Sequence, residues 1–182
     1  MSRPTHLLKH QHRVIEQAMR ALEGICFRML AGEHVPAEEL SKLLSFIHGY
    51  ADDFHHAKEE KHLFPALREA GIKDEDGPLT FLRQEHERER KLLSELGLAV
   101  AEHQRDSGTG GKFVAAALQY KDHLIEHMQQ EEAILFLLAE EMLDEQVKAS
   151  LLHALAYQTP EAQKRIQSYE QLARELEQAW TV

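Results

Sequence analysis

The chain has 182 residues, which is enough for one domain with a buried core. Its formal charge of −10 at pH 7 argues against a nucleic-acid-binding protein, because such a protein needs a basic face. Its one cysteine, Cys26, excludes a disulfide framework and a cysteine-based zinc site. No segment resembles a signal peptide or approaches the roughly 18 uninterrupted apolar residues of a membrane helix, so we expect a cytosolic protein without membrane partners.

The spacing of apolar residues and the positions of glycine and proline predict six helices and no strand. Pro65 lies inside the second helix and is expected to kink or end its last turns. The polar segment 106–111 is expected to form a flexible loop. In chain order, the predicted helices span residues 5–30, 36–69, 78–104, 113–142, 145–157 and 160–180.

The predicted fold class is all-α. The first four helices are long and joined by short connections, which is typical of an up-down-up-down four-helix bundle over residues 1–143. Residues 144–182 are predicted to form a C-terminal helical appendage. We expect the appendage to pack on the bundle, and packing on a second copy in a homodimer is the alternative. Its apolar stripe consists of Tyr169, Leu172, Leu176 and Trp180.

Two pairs of segments in the first 143 residues resemble each other. HHAKEEKHLF at 55–64 aligns without a gap with HMQQEEAILF at 127–136, an offset of 72 residues. The segment around His12 aligns with the segment around His86 at an offset of 74. The first four helices therefore form two similar helical hairpins, each with one histidine on its first helix and His-x-x-x-Glu on its second.

This repeat predicts a site for two metal ions. Residues four apart on a helix project from nearly the same face, so His55–Glu59 and His127–Glu131 can each direct an imidazole and a carboxylate to one point. Two carboxylates buried at one level imply a compensating cation. Imidazole and carboxylate without thiolate suit iron, manganese or zinc.

The chain, which holds 13 histidines, contains five His-x-x-x-Glu pairs, so one pair alone is weak support for a metal site. The alternative register uses His56 and Glu60. The repeat favours His55 and Glu59, because these two align with His127 and Glu131 when the Leu-Phe pairs are superposed.

The combination of QHRVIE, HHAKEEKHLFPAL, GPLTFLRQEHERER and HMQQEEAILFLLAE resembles the hemerythrin-like, HHE cation-binding domain family over roughly residues 5–140. The resemblance implies two non-haem iron ions with an oxo or hydroxo bridge and two carboxylate bridges; manganese and zinc remain alternative occupants. By position it implies one iron at His12 and His55, the other at His86 and His127, and bridges from Glu59 and Glu131.

The chain departs from the oxygen-carrying members at Arg90, where they have a second histidine on the third helix. One iron would therefore lack a nitrogen ligand, and Tyr50, His56 or His123 could supply a replacement. Arg90 aligns with Glu16 in the repeat, so we expect these two side chains to form an ion pair. The second glutamates of the repeat, Glu60 and Glu132, are expected to be solvated.

An incompletely coordinated iron favours binding or reaction with O2, NO or peroxide, in a sensing, protective or iron-handling role. The alternative is a di-iron enzyme with peroxidase- or oxidase-like activity, although no substrate pocket or acid–base pair is evident beyond the ligands. A third hypothesis is a structural module in which the metal only holds the helices together.

Overall fold

The computed structural model describes residues 3–73, 75, 77–106, 108 and 110–181. Over these residues the chain forms six helices and no strand, which confirms the all-α prediction. The predicted loop at 106–111 includes residues 107 and 109, which lie outside the described residues. The helices are α1 (Pro4–Leu30), α2 (37–69), α3 (Pro78–Arg105), α4 (110–142), α5 (Glu145–Ala156) and α6 (Pro160–Trp180).

The ends of the helices follow the local signals in the sequence. Gly32 and Gly71, directly beyond α1 and α2, have φ angles of 81° and 103°, which glycine adopts without steric cost. The Thr159 hydroxyl accepts a hydrogen bond of 3.2 Å from the Ala162 N–H and so caps the first turn of α6.

α2 and α4 both change from α to π geometry beside the candidate ligands. One π segment begins at Glu59 and another at Glu131, the equivalent positions of the repeat. The N–H of Phe64 donates to the Glu59 carbonyl, and the N–H of Phe136 donates to the Glu131 carbonyl. π turns inside α-helices are frequent at functional sites. The π segments span Ile47–His56, Glu59–Leu63 and Glu131–Leu135.

α2 continues past Pro65 to Glu69, so the prediction that the proline could end the helix is wrong. Pro65 lies in the first turn of the final α-helical segment, directly after the π segment. Proline is tolerated in the first turn of an α-helical segment, where its fixed φ suits the helix.

The apolar core consists of two clusters with a polar layer between them. The larger cluster includes Ile15, Ala51 and Met128, and the smaller one includes Leu8 and Leu63. His12 lies between Leu8 and Ile15 in α1, and His55 and Glu59 lie between Ala51 and Leu63 in α2. The polar layer is therefore covered by apolar side chains at both ends.

α6 packs along α1 and closes over the larger cluster. A Cβ atom on Gly24 would overlap the Trp180 carbonyl oxygen, and one on Gly49 would overlap the Tyr169 side chain, so both glycines permit a close approach. The Trp180 Nε1–H donates to Glu39 Oε2 at 3.0 Å. The division into domains at residue 143 stays a prediction. Among the described helices, none is both long and apolar enough to cross a membrane.

Candidate metal centre

Four helices bring the six predicted ligands together in the polar layer. α1 contributes His12, α3 contributes His86, and α2 and α4 each contribute one His-x-x-x-Glu pair. Each of the six side chains is buried, with at most 1% of its residue surface exposed. The six residues are His12, His55, Glu59, His86, His127 and Glu131.

The four histidines form two facing pairs. His12 Nε2 lies 3.0 Å from His55 Nε2, and His86 Nε2 lies 3.1 Å from His127 Nε2. Two imidazole nitrogens that bind one ion at about 2.1 Å in adjacent octahedral positions are roughly 3 Å apart. The spacing within each pair therefore suits a shared ion.

The two glutamates lie between the histidine pairs. Glu131 Oε2 is 3.3 Å from His12 Nε2, whereas its Oε1 is 3.2 Å from His127 Nε2. Glu59 Oε2 is 3.8 Å from His55 Nε2 and 3.7 Å from His86 Nε2. Each carboxylate thus reaches both pairs. Two ligand groups result, and the donor atoms within each lie within 4.8 Å of one another: His12, His55, Glu59 and Glu131 in one, and Glu59, His86, His127 and Glu131 in the other.

The two buried carboxyl groups lack hydrogen-bond partners among the described residues, and their pKa values shift in opposite directions. Neither oxygen of Glu59 or of Glu131 accepts a hydrogen bond from the described residues. Burial, and then repulsion by Glu131, raises the pKa of Glu59 well above its usual range. Burial would also raise the pKa of Glu131, but attraction to His127 and contact with His12 lower it well below the usual range. In the metal-free site these opposite shifts favour a neutral Glu59 beside an ionised Glu131.

The outer nitrogens of three of the four candidate histidines have polar partners. His12 Nδ1 lies 3.0 Å from Glu132 Oε1, and His86 Nδ1 lies 2.7 Å from Glu60 Oε1. His55 Nδ1 lies 3.0 Å from the amide oxygen of Gln11. Because these oxygens can only accept, each Nδ1 carries the proton and Nε2 faces the centre of the site.

The prediction that Glu60 and Glu132 are merely solvated is wrong. Each is partly buried and orients a histidine of the opposite hairpin. The hydrogen bond from His86 contributes most to lowering the pKa of Glu60 to about 2, against the effect of burial and with the help of Arg90. Burial lowers the pKa of His86, but contacts with Glu131 and Glu60 outweigh it and raise the value to about 9.

Arg90 does not pair with Glu16, contrary to the prediction from the repeat. Its guanidinium lies 2.8 Å from Asp52 and 2.8 Å from Glu60, both on α2. Glu16 lies on α1, 3.9 Å from Arg20. Equivalence in a repeat does not imply contact, because equivalent helices occupy different places in the fold.

A buried glutamate that sequence reasoning missed, Glu89, lies beside the second histidine pair. It is 2% exposed, and its Oε2 lies 3.2 Å from His56 Nε2. Its Oε1 lies 3.9 Å from His127 Nδ1 and 4.0 Å from His123 Nε2. The repeat contains a signal for this residue. At the offset of 74, Glu89 aligns with Ile15, which is a core position, so the alignment predicts that the Glu89 carboxylate is buried.

The structure distinguishes the three candidates for an additional ligand. The Tyr50 hydroxyl donates to Glu170 at 3.3 Å, and His123 Nε2 lies 3.6 Å from Glu85. The His56 ring stacks on His86 with centroids 4.2 Å apart. His56 also forms a group with His86 and His127 whose donor atoms lie within 4.8 Å of one another. Of the three, His56 is the one that reaches the ligands.

Residues 3–139 match the model of the hemerythrin HHE cation-binding domain. The match covers most of the chain, and the His/Glu groups of the fold fit a cation-binding role. The chain belongs to this family, which confirms the resemblance. No curated protein and no solved structure shows significant similarity to the chain.

Proposed function

We propose that this protein is a di-iron hemerythrin-like protein that binds or reacts with O2, NO or peroxide, in a sensing, protective or iron-handling role. His12 and His55 hold one ion, His86 and His127 hold the other, and Glu59 and Glu131 bridge them. The observation that carries the proposal is the position of Glu131, whose two oxygens lie 3.3 and 3.2 Å from histidines of different pairs.

The charge of the site supports a pair of ions. Two carboxylates in an apolar layer are stable as anions only beside compensating cations. Nitrogen and oxygen donors without sulfur suit iron, with manganese or zinc as alternative occupants. Bridging carboxylates and histidines that project inward from facing helices are the usual way in which helical bundles hold metal pairs.

The surrounding side chains orient the ligands and limit access of water. Glu60 and Glu132 fix the rings of His86 and His12 by accepting from Nδ1. Phe136 stacks on His12 at 5.3 Å, and Phe64 stacks on His86 at 5.7 Å. Iron in such a site supplies reversible ligand binding and redox chemistry with O2, NO or peroxide.

The ion at His86 and His127 is expected to keep an open position. Arg90 pairs with two carboxylates instead of supplying a nitrogen, and His56 Nε2 faces Glu89 at 3.2 Å. We therefore propose that His56 is a neighbour of the site and not a ligand. His56→Ala then retains the iron content of the wild type, and loss of one iron per chain would make His56 a ligand.

The proposed arrangement of the chain is an up-down-up-down bundle of α1–α4 over residues 1–143, with α5 and α6 as the appendage over 144–182. A cytosolic location and a homodimer remain predictions.

The test is an azide titration of the iron-loaded protein, monitored through its near-ultraviolet and visible absorption. Saturable new bands are expected, because azide enters an open position. If the spectrum of the iron-loaded protein does not change when azide or NO is added, the result would support the hypothesis that the metal has only a structural role.

Peroxidase-like turnover is a second candidate, favoured by Glu89. Reduction of a peroxide consumes protons, and a buried carboxylate 3.9 Å from His127 Nδ1 could move them. Multiple turnovers of hydrogen peroxide with an electron donor, at a rate above that of free iron, would support an enzyme. A single stoichiometric reaction with peroxide would support a binding protein.

A further inference from the structure

A cavity of about 590 Å³ lies between α2 and the two C-terminal helices, outside the candidate metal centre. Its α2 wall includes Phe54, Lys58 and Lys61, and its opposite wall includes Tyr157 and Arg165. A cavity of this volume suits a ligand of small-molecule size. The family match ends at residue 139, so the wall formed by α5 and α6 lies outside the matched residues.

The lining of the cavity is cationic, although the chain as a whole has a formal charge of −10. Among the described residues that line the cavity, Lys58, Lys61 and Arg165 accompany one acidic side chain, Asp53. Among the described residues, neither Lys61 nor Arg165 has an ion-pair or hydrogen-bond partner for its charged group. Unpaired cations that line one cavity favour an anionic ligand.

The floor of the cavity combines a fixed cation with apolar surface. Lys58 Nζ donates to the Leu155 carbonyl and lies 3.9 Å from the centre of the Phe54 ring. Burial lowers the pKa of Lys58 to about 8. Tyr157 also lines the cavity, and 67% of its surface is exposed. An aromatic or aliphatic body could therefore pack against the rings.

We propose that this cavity binds a small amphipathic anion, with Lys61 and Arg165 at its carboxylate, sulfonate or phosphate group and Phe54 and Tyr157 at its apolar body. The proposal does not depend on the metal centre, because the cavity shares no residue with the six ligands.

The test is a fluorescence titration of the full chain with 8-anilinonaphthalene-1-sulfonate, an aromatic sulfonate. The double variant Lys61→Gln/Arg165→Gln is expected to bind it about fivefold or more weakly than the wild type, since it loses both charge partners. The matched control Arg13→Gln/Lys91→Gln removes the same charge at exposed positions elsewhere and should stay within about twofold. Equal affinity of the cavity variant and the wild type, or equal losses in both variants, would overturn the proposal.

Two further measurements identify the place and the chemistry of binding. Ala154→Trp fills the cavity from α5 and should abolish binding while circular dichroism stays unchanged. Retained binding in this folded variant would place the site elsewhere. In competition, 1-naphthoate should displace the probe, whereas the uncharged 1-naphthalenemethanol should not. Equal displacement by both would refute the requirement for an anion.

Discussion

Glu59→Gln tests the charge state of the candidate metal centre, because it keeps the shape of the side chain and removes only its capacity to ionise. Burial and repulsion by Glu131 raise the pKa of Glu59 and so favour its neutral form in the metal-free protein. We therefore expect the variant to change the free energy of unfolding of chelator-treated protein by less than about 1 kcal/mol.

Glu131→Gln is expected to behave differently in the same metal-free state. The lowered pKa of Glu131 favours its ionised form, and its two oxygens lie 3.3 Å from His12 Nε2 and 3.2 Å from His127 Nε2. Removing this charge leaves buried imidazoles without their partner, at a cost of about 1–3 kcal/mol.

Both variants should lose most of the stability that iron adds. At a free metal concentration of about 100 times Kd, binding stabilises the folded chain by about 2.7 kcal/mol. In a chain of this size that corresponds to a rise in Tm of about 5–11 °C. Because each carboxylate is proposed to touch both ions, we expect less than about half of this increment in either variant.

The assay is urea unfolding monitored by circular dichroism. Each variant is measured once with a chelator and once with ferrous iron under anaerobic conditions. Glu126→Gln, at an exposed position of α4, is the matched control and should keep the full increment. An increment in Glu59→Gln equal to that of the wild type would refute its role as a bridge. Metal-free Glu59→Gln as unstable as metal-free Glu131→Gln would refute the assigned charge states.

Three other predictions concern the open position, the pH dependence and the C-terminal helix. If the ion at His86 and His127 keeps an open position, as proposed, Arg90→His introduces an imidazole one helical turn after His86 and should weaken azide binding to the iron-loaded protein about tenfold, or 1.4 kcal/mol. Unchanged affinity would contradict an open position there. Because the pKa of His86 is raised to about 9 in the folded state, its stabilisation is complete well below pH 6.5 and is lost as the pH rises. Urea unfolding of chelator-treated protein should therefore show a loss of about 1.5 kcal/mol between pH 6.5 and 8, and a flat profile would contradict this. Gly24→Ala forces Trp180 away from α1 and should lower the free energy of unfolding by about 1–3 kcal/mol. Gly97→Ala has open space around its Cβ and should raise the free energy of unfolding by about 0.5–1 kcal/mol. Equal stability of the two glycine variants would argue against the observed docking of α6.

The helices and the convergence of the six candidate ligands could be predicted because both depend on local patterns. Spacing of three and four residues gives one face of a helix, and the repeat selected His55–Glu59 over His56–Glu60. The π segments at Glu59 and Glu131 could not be predicted, because an extra residue in one turn leaves the apolar pattern nearly unchanged.

The partners of the ligands depend on which helices are neighbours, and the sequence pattern carries little information about that. Glu60 was expected in solvent and Arg90 beside Glu16, yet α2 and α3 bring Glu60 and Arg90 together at 2.8 Å. Glu89 was missed because a lone glutamate on a charged helix resembles a solvated residue. Comparison with Ile15 across the repeat would have revealed it.

The most direct test of the account is the iron content of the iron-loaded protein, measured together with electron paramagnetic resonance of its oxidised form. About two irons per chain without the signal of isolated ferric ions would show a magnetically coupled pair, as expected when Glu59 and Glu131 bridge the two histidine pairs. One iron per chain, or a strong signal from isolated ferric ions, would contradict the di-iron centre.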